Sequence, residues 1–432
     1  MIFFYWLVFV TPRGEDEFWG RYFAGVTLVK YLGIACFLYA GSYLVKRHSP
    51  PRYLQTAQAK CVLIFFALAC ASFILRGSGF SWQGGLIVSY ISFLVLFFIT
   101  LTVVDTPRRF RWVLIAGNGG IAFASLYMVR EWRWYGYNPF FRPDIGVGNP
   151  NDFAAMANLF VPIAFYLMWE RRLYWERLLC LVCLLSTLAG IIVCASRGGF
   201  LGLAAAILLV VWHSAKPKRN LVIVGALLIP MALAPFSPLH RLLRPNRSDQ
   251  ESTAIRMELW KSGLRMIRAH PLLGVGLGNF RLLSSDYGPE LKKAGMAHNT
   301  YIEIAAETGV PGLLAFLAIL YFSFRTLERI RRHTPRTGPA FLRKAASGIQ
   351  AGLLGCSVAI FFSSLEYIKP FWLVVFLTMC MPSLVARTRR RHLAPLVIAK
   401  VGDHEVATAR EALSAAASEA VQQSGERGNL WV

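Results

Sequence analysis

Three basic residues stand where chemistry on an anionic ligand could be done. They are Arg197 in Ser196-Arg197-Gly198-Gly199, Arg256 in a long polar connection, and His298 in His298-Asn299-Thr300-Tyr301-Ile302-Glu303. Arg197 falls in a very short turn between two apolar runs. A cation at a membrane edge either serves function or snorkels to headgroups. Arg256 belongs to Ser252 to Ala269, which reads as a helix: Met257, Trp260, Leu264 and Ile267 fall at i, i+3, i+7 and i+10 and form an apolar stripe. Arg256 borders this stripe and should point towards the protein. Held there it needs an anion, which Glu258, Asp249 or a ligand phosphate could supply. Lys261, Arg265 and Arg268 share a different face, which reads as solvated or headgroup-facing. His298 lies just outside a helix start. Neighbouring arginines would keep its imidazole neutral, as a general base requires, although a lone histidine can equally be structural. Thr300 and Glu303 have capping-box spacing, which places the helix start at Thr300 and makes Glu303 a cap before it is an acid or base.

Between Arg256 and His298 runs Pro271 to Phe280, PLLGVGLGNF, with Gly274, Gly276 and Gly278. No strand precedes it, so it is no dinucleotide fingerprint. Its glycines instead allow a tight backbone lying close above other elements. The stretch Arg130–Asp144 holds Trp132, Trp134, Tyr135, Tyr137, Phe140 and Phe141, followed by Gly148-Asn149-Pro150-Asn151-Asp152. These aromatics suit an interfacial belt, or flat faces for a sugar. The eight cysteines all fall in apolar segments, and the isolated pair Cys180 and Cys183 lacks the further ligands of a redox or metal site.

The elements that must position these residues are membrane helices. The 432-residue chain is 56% hydrophobic and 16% charged, where a soluble domain carries about 25% charge. Residues 22–45, 84–104, 174–195 and 368–386 are nearly uncharged runs long enough to cross a bilayer. Lipid offers the backbone no partners, and the runs neither alternate nor shorten as barrel strands would, so they must be helices. The expected fold is an all-α polytopic membrane protein of about twelve spans with one long external loop carrying helices. Met1–Val10 reads as a short or truncated first span, because it lacks the basic start and small-residue cleavage site of a secretory signal.

Orientation follows from the basic connections. Lys46, Arg47 and Arg52; Arg108, Arg109 and Arg111; Arg171, Arg172 and Arg177; Lys216, Lys218 and Arg219; the segment 325–344; and the tail from Arg387 alternate with cation-poor connections. The basic set marks the cytoplasmic side and puts both termini there. The net charge of +23 is mostly this bias and does not call for nucleic acid. The chain divides into N-terminal spans (1–236), a long periplasmic loop (237–298), C-terminal spans (299–386) and a cytoplasmic tail (387–432). The loop holds ten Lys/Arg against five Asp/Glu, which suits an anionic, phosphate-bearing ligand.

As a set, Ser196-Arg197-Gly198, Arg256 with Trp260, Pro271 to Phe280, and HNTYIEIAAETGVPG from His298 to Gly312 resemble the O-antigen ligase and polymerase superfamily, as does GNPNDFA from Gly148 to Ala154. The resemblance spans roughly residues 145–385. It implies an inverting glycosyltransferase of the bacterial inner membrane whose donor is an undecaprenyl-diphosphate-linked glycan at the periplasmic face. It implies diphosphate binding by Arg197 and Arg256 and catalysis by His298, with Ser196, Asn299, Gly276, Gly278 and Arg265 in support. No cofactor and no metal is expected, the arginines standing where Mg²⁺ stands in other transferases. The acceptor is expected to be lipid A–core, as for a ligase, with a growing glycan (polymerase) as the alternative. Transfer to protein or transport of a lipid-linked sugar are lesser readings, the latter because no internal repeat is seen.

Overall fold

The computed structural model describes residues 28–47, 56–76, 81–136, 149–169, 174–214, 247–291, 293–334, 340–365 and 367–398, with a few isolated positions beside them. Of the segment read as a first span, Phe4, Tyr5, Trp6 and Val8 are described, and the buried Tyr5 donates its hydroxyl to Thr100 Oγ1 at 3.4 Å. The acidic first connection, most of the aromatic run after Tyr135, and the C-terminal tail beyond Ile398 lie outside the described residues.

Among the described residues twelve α-helices of four or more residues follow in order: α1 (Leu28–Arg47), α2 (Ala57–Arg76), α3 (Ser81–Val103), α4 (Pro107–Trp134), α5 (Pro150–Met168), α6 (Tyr174–Cys194), α7 (Arg197–Trp212), α8 (Arg247–Ala269), α9 (Phe280–Leu283), α10 (Thr300–His333), α11 (Ala340–Ala359) and α12 (Lys369–Ile398). A single 3₁₀ turn, Ile360–Phe362, closes α11. Among the described residues there is no strand. Among the described residues seven helices are long and apolar enough to cross a membrane, and three shorter apolar ones accompany them. Their outward surfaces carry exposed Ile64, Ile74, Val182 and Leu208, apolar area that only lipid would cover. The protein is a polytopic all-α membrane protein.

Without water between helices, tight packing must come from small residues that let backbones approach. α11 packs on α5 and α7 in this way. A Cβ at Gly352 would come within 2.2 Å of the Leu159 carbonyl oxygen, and one at Gly202 within 2.4 Å of that of Gly355.

α10 is broken near its start. Gly309 has φ 76° and ψ 177°, and Pro311 follows. Pro311 has no N–H to give the carbonyl of Glu307, and the Val310 amide turns instead to the Pro271 carbonyl at 2.8 Å. The glycine-rich segment reaches the two carbonyls left over: the amide of Val275 donates to Ala306 at 2.8 Å and that of Gly276 to Glu307 at 3.3 Å, where the Ser72 hydroxyl of α2 also donates at 2.5 Å. Gly274, at φ 67°, lies so close that a Cβ would meet the Ala306 oxygen at 2.5 Å. The segment expected to lie as a tight backbone over the bundle is thus a plug in a helix break.

In the long loop the helix extends further than its periodicity suggested, from Arg247, and its faces differ from the expected stripe. Met257 and Leu264 are about half exposed, at 51% and 48%, while Leu259 and Met266 are buried. The inner seam also uses Gly263, where a Cβ would strike Ile302 Cγ2 at 2.4 Å. A hydrophobic pattern cannot register a glycine seam, which is why the stripe was displaced.

Candidate functional site

Four segments meet at one end of the bundle: the α6–α7 turn, the start of α5, the residues before α10, and the connection after α11. At the first, Ser196 caps α7, its Oγ accepting from the Gly199 amide at 3.1 Å. The capping works because the backbone at Ser196 is extended while Arg197 already opens the helix. A Cβ at Gly198 would lie 2.7 Å from Phe362 Cβ, and one at Gly199 2.5 Å from Ala154 Cβ. These glycines therefore seat the turn against both the 3₁₀ turn and α5.

Arg197 is half-buried and its Nη2 donates to Thr253 Oγ1 on α8 at 3.3 Å. Arg256 points inward, as its place beside the apolar stripe suggested. Of its two sequence-based anionic partners, Glu258 is engaged with Lys261 at 2.6 Å, and the side chain of Asp249 lies outside what is described. Arg256 Nη1 instead donates to the Phe362 carbonyl at 3.4 Å. Both contacts are long for hydrogen bonds and use few of the five N–H groups each guanidinium carries. Burial lowers the pKa of Arg256, the like charge of Arg197 lowers it further, and Asp152 pulls the other way. These couplings place the two guanidiniums and one carboxylate within electrostatic reach of one another.

His298 precedes α10 and is held well below its ordinary range, at about 4, first by burial and then by the charge of Arg256. The imidazole is therefore neutral at pH 7. His298 and Ala195, next to Ser196, are the two non-glycine residues with positive φ among the described residues, at 48° and 45°. Such backbone is costly and persists only where the surroundings impose it.

The capping box gives way to a different arrangement. α10 does begin at Thr300, but Asn299 is its cap, with Oδ1 accepting from the amides of Tyr301 at 3.0 Å and Ile302 at 3.1 Å. Thr300 is drawn into the connection after α11: its Oγ1 donates to the Ser363 carbonyl at 2.8 Å and accepts from the Leu365 amide at 2.9 Å. Glu303 is buried and accepts from the Ser364 hydroxyl, so it is not a cap.

That connection recurs across the site. Ser363 donates to Asp152 in the first turn of α5, Ser364 to Glu303, and the Tyr367 hydroxyl to Glu307. Glu307 also accepts from the Phe280 amide at 3.2 Å. Sequence reasoning did not find Asp152 or these hydroxyls. Asp152 had a signal, an acid two residues after the Asn149-Pro150 cap of α5; Ser363 and Ser364 had none. Gly276 and Gly278, at φ 108° and 79°, belong to the plug at the level of Glu307, about two turns below the cap. Arg265 is on the outer face of α8, its Nη1 bonded to the Tyr287 carbonyl at 2.7 Å. Of the eight residues singled out from sequence, Ser196, Arg197, Arg256, His298 and Asn299 come together, while Gly276, Gly278 and Arg265 stand apart. Among the described residues no group of three His, Cys, Asp or Glu side chains is placed to hold a metal.

The geometry offers two cations with spare donors beside a neutral imidazole at the edge of a membrane bundle. The family described as O-antigen ligase matches residues 179–317, which include Arg197, Arg256 and His298. An O-antigen ligase of Pseudomonas aeruginosa is 25% identical over 286 residues, covering 63% of this chain and 67% of that protein. The ordered motifs, the family match and this relative agree in likening the chain to the O-antigen ligase superfamily.

Proposed function

We propose that this chain is a glycosyltransferase that moves a glycan from an undecaprenyl-diphosphate carrier to a sugar hydroxyl of lipid A–core, with inversion and without a metal ion. In this reading the site end of the bundle faces the periplasm of a bacterial inner membrane, and residues 237–298 form the periplasmic loop between two sets of spans. Both termini, including the tail 387–432, lie on the cytoplasmic side.

The observation that carries the proposal is the neutral, half-buried His298 beside the Arg197–Arg256 pair. The donor diphosphate supplies the anion that the two guanidiniums lack. Their N–H forks suit phosphate oxygens, and fixed donors aimed at a developing charge cost no reorganisation during the step. The acceptor oxygen attacks the anomeric carbon while an imidazole nitrogen of His298 takes its proton. The bond from carbon to the diphosphate oxygen breaks with its electron pair, and the new charge falls against the arginines. The imidazolium then returns its proton to solvent. A base with a pKa of about 4 is weak, but a bound diphosphate offsets the charge of Arg256 that depresses it. Donor binding would therefore strengthen the base in the complex that needs it.

The test uses purified full-length protein, an undecaprenyl-diphosphate-linked glycan and EDTA, with and without lipid A–core, and products resolved on a gel. Glycan transferred only when core is present, and unaffected by EDTA, is the expected result. A ladder of lengthening lipid-linked glycans without core would make the chain a polymerase with the same donor. Loss of activity in EDTA would end the metal-free mechanism.

A further inference from the structure

His298 adopts φ 48°, and left-handed backbone at a non-glycine residue costs on the order of 1–3 kcal/mol. Something on each side must hold it. On the C-terminal side the chain is fixed by the Asn299 cap and by Thr300, whose amide and hydroxyl both bind the Ser363 carbonyl. On the N-terminal side stands the fully buried Ala297, whose carbonyl accepts from Trp260 Nε1 at 2.9 Å. The indole is itself seated edge-on against Phe361, with ring centroids 5.3 Å apart. Trp260 lies one helical turn after Arg256 on α8, so one face of one helix carries both the cation beside His298 and the donor that anchors the residue before it.

We propose that Trp260 is a positioning residue for His298: its indole N–H, by holding the Ala297 carbonyl, keeps His298 in its left-handed conformation beside Arg256. The inference rests on His298 being the proton acceptor of the proposed transfer. Without that bond, the strain at His298 relaxes and the imidazole leaves its place. α8 would thereby set the distance between base and donor through two side chains at once.

The experiment compares full-length Trp260→Phe, Trp260→His, His298→Ala and the double variant His298→Ala/Trp260→Phe, with Phe361→Leu as a packing control. Because small misplacements of a reacting group can cost about 100-fold, Trp260→Phe is expected to lower kcat by about tenfold or more while the donor KM stays within about twofold. Trp260→His, which keeps a ring N–H, should recover part of the loss. Phe361→Leu should retain kcat. In the His298→Ala background Trp260→Phe should cost nothing more. Independently of turnover, histidine-labelled NMR should show His298 titrating higher in Trp260→Phe, as the imidazole moves away from Arg256. An equal loss in the His298→Ala background, a comparable loss in Phe361→Leu, or an unmoved His298 titration would overturn the role. If His298→Ala alone keeps near-normal turnover, the function of His298 fails instead, and the titration still decides whether Trp260 places the ring. Should Trp260→Phe not fold, Trp260→His carries the same titration and turnover comparisons.

Discussion

The two ends of the bundle treat arginine in opposite ways. Away from the site, arginines meet carboxylates. Arg109 and Arg387 share Asp105 at 2.9 and 3.3 Å, Arg331 binds Glu328 at 2.6 Å, and Arg111 meets Glu176. Arg111–Glu176 joins α4 to α6 and Asp105 ties the start of α4 to α12, while Arg331–Glu328 lies within α10; Asp105 also accepts from Tyr43 of α1 at 2.7 Å. At the site end the acids are instead occupied by hydroxyls of one connection, and Arg197 and Arg256 rest on a hydroxyl and a backbone carbonyl. Among the described residues neither has a carboxylate within ion-pair distance. A half-buried guanidinium without such a partner is poorly compensated, a cost that an incoming anion would relieve. Among the described residues, the arginines that meet carboxylates lie away from His298, and the two beside it meet none.

The sharpest way to break this contrast is to remove one arginine from each end. Arg256→Ala should lower kcat/KM by about 100-fold or more, the usual cost of losing one preorganised donor to developing charge. Arg331→Ala should leave kcat/KM within about twofold and cost about 1 kcal/mol or less of stability, because its pair is an i,i+3 contact within one helix and Glu328 keeps Arg332 as a partner. Equal kinetic losses at the two ends would show that the contrast says nothing about function.

A smaller effect should appear in the pH dependence. For the free protein, kcat/KM should stay level as pH falls to near 4, because His298 protonates only there. The acid limb of kcat, which reports the donor complex, should lie at higher pH, since the diphosphate offsets Arg256. Coincident limbs would sink the idea that the donor strengthens the base. The stability sign is separate. With the folded pKa below the unfolded value, the unfolded chain binds the extra proton. His298 therefore costs stability as pH falls from about 6.5 towards about 4 and costs none above that window. The smallest effect is expected at Arg265, whose guanidinium holds a loop carbonyl on the outer face of α8. Arg265→Ala should change kcat/KM by less than about threefold, in line with the median contribution of an exposed contact. A loss as large as that of Arg256→Ala would extend the site across the helix.

What the sequence made legible follows from what is local. Long apolar runs fix membrane helices whatever the neighbours are. A cation or histidine abutting such a run, as at Arg197 and His298, is conspicuous because its surroundings are costly. Helical phase was enough to turn Arg256 inward. The partners were not legible, since they arise between segments far apart in the chain: Asp152 with Ser363, Glu303 with Ser364, Arg256 with the Phe362 carbonyl. The cap was misplaced by one residue because Thr300 matched a local rule, while the Ser363 carbonyl, 63 residues on, claimed its hydroxyl. The glycines were read correctly as allowing close backbone, but nothing local reveals that the surface they approach is a gap in α10.

That gap bears on how the chain is made. A helix entering lipid with two carbonyls lacking donors would pay several kcal/mol for each until something filled them. The groups that fill them, the amides of Val275 and Gly276 and the Ser72 hydroxyl, all leave the ribosome before α10 does. The order of synthesis therefore delivers the plug ahead of the helix it completes. A circularly permuted chain that begins at residue 299 and ends at residue 298 would reverse that order. Such a chain should insert α10 poorly even though every native contact remains available to it.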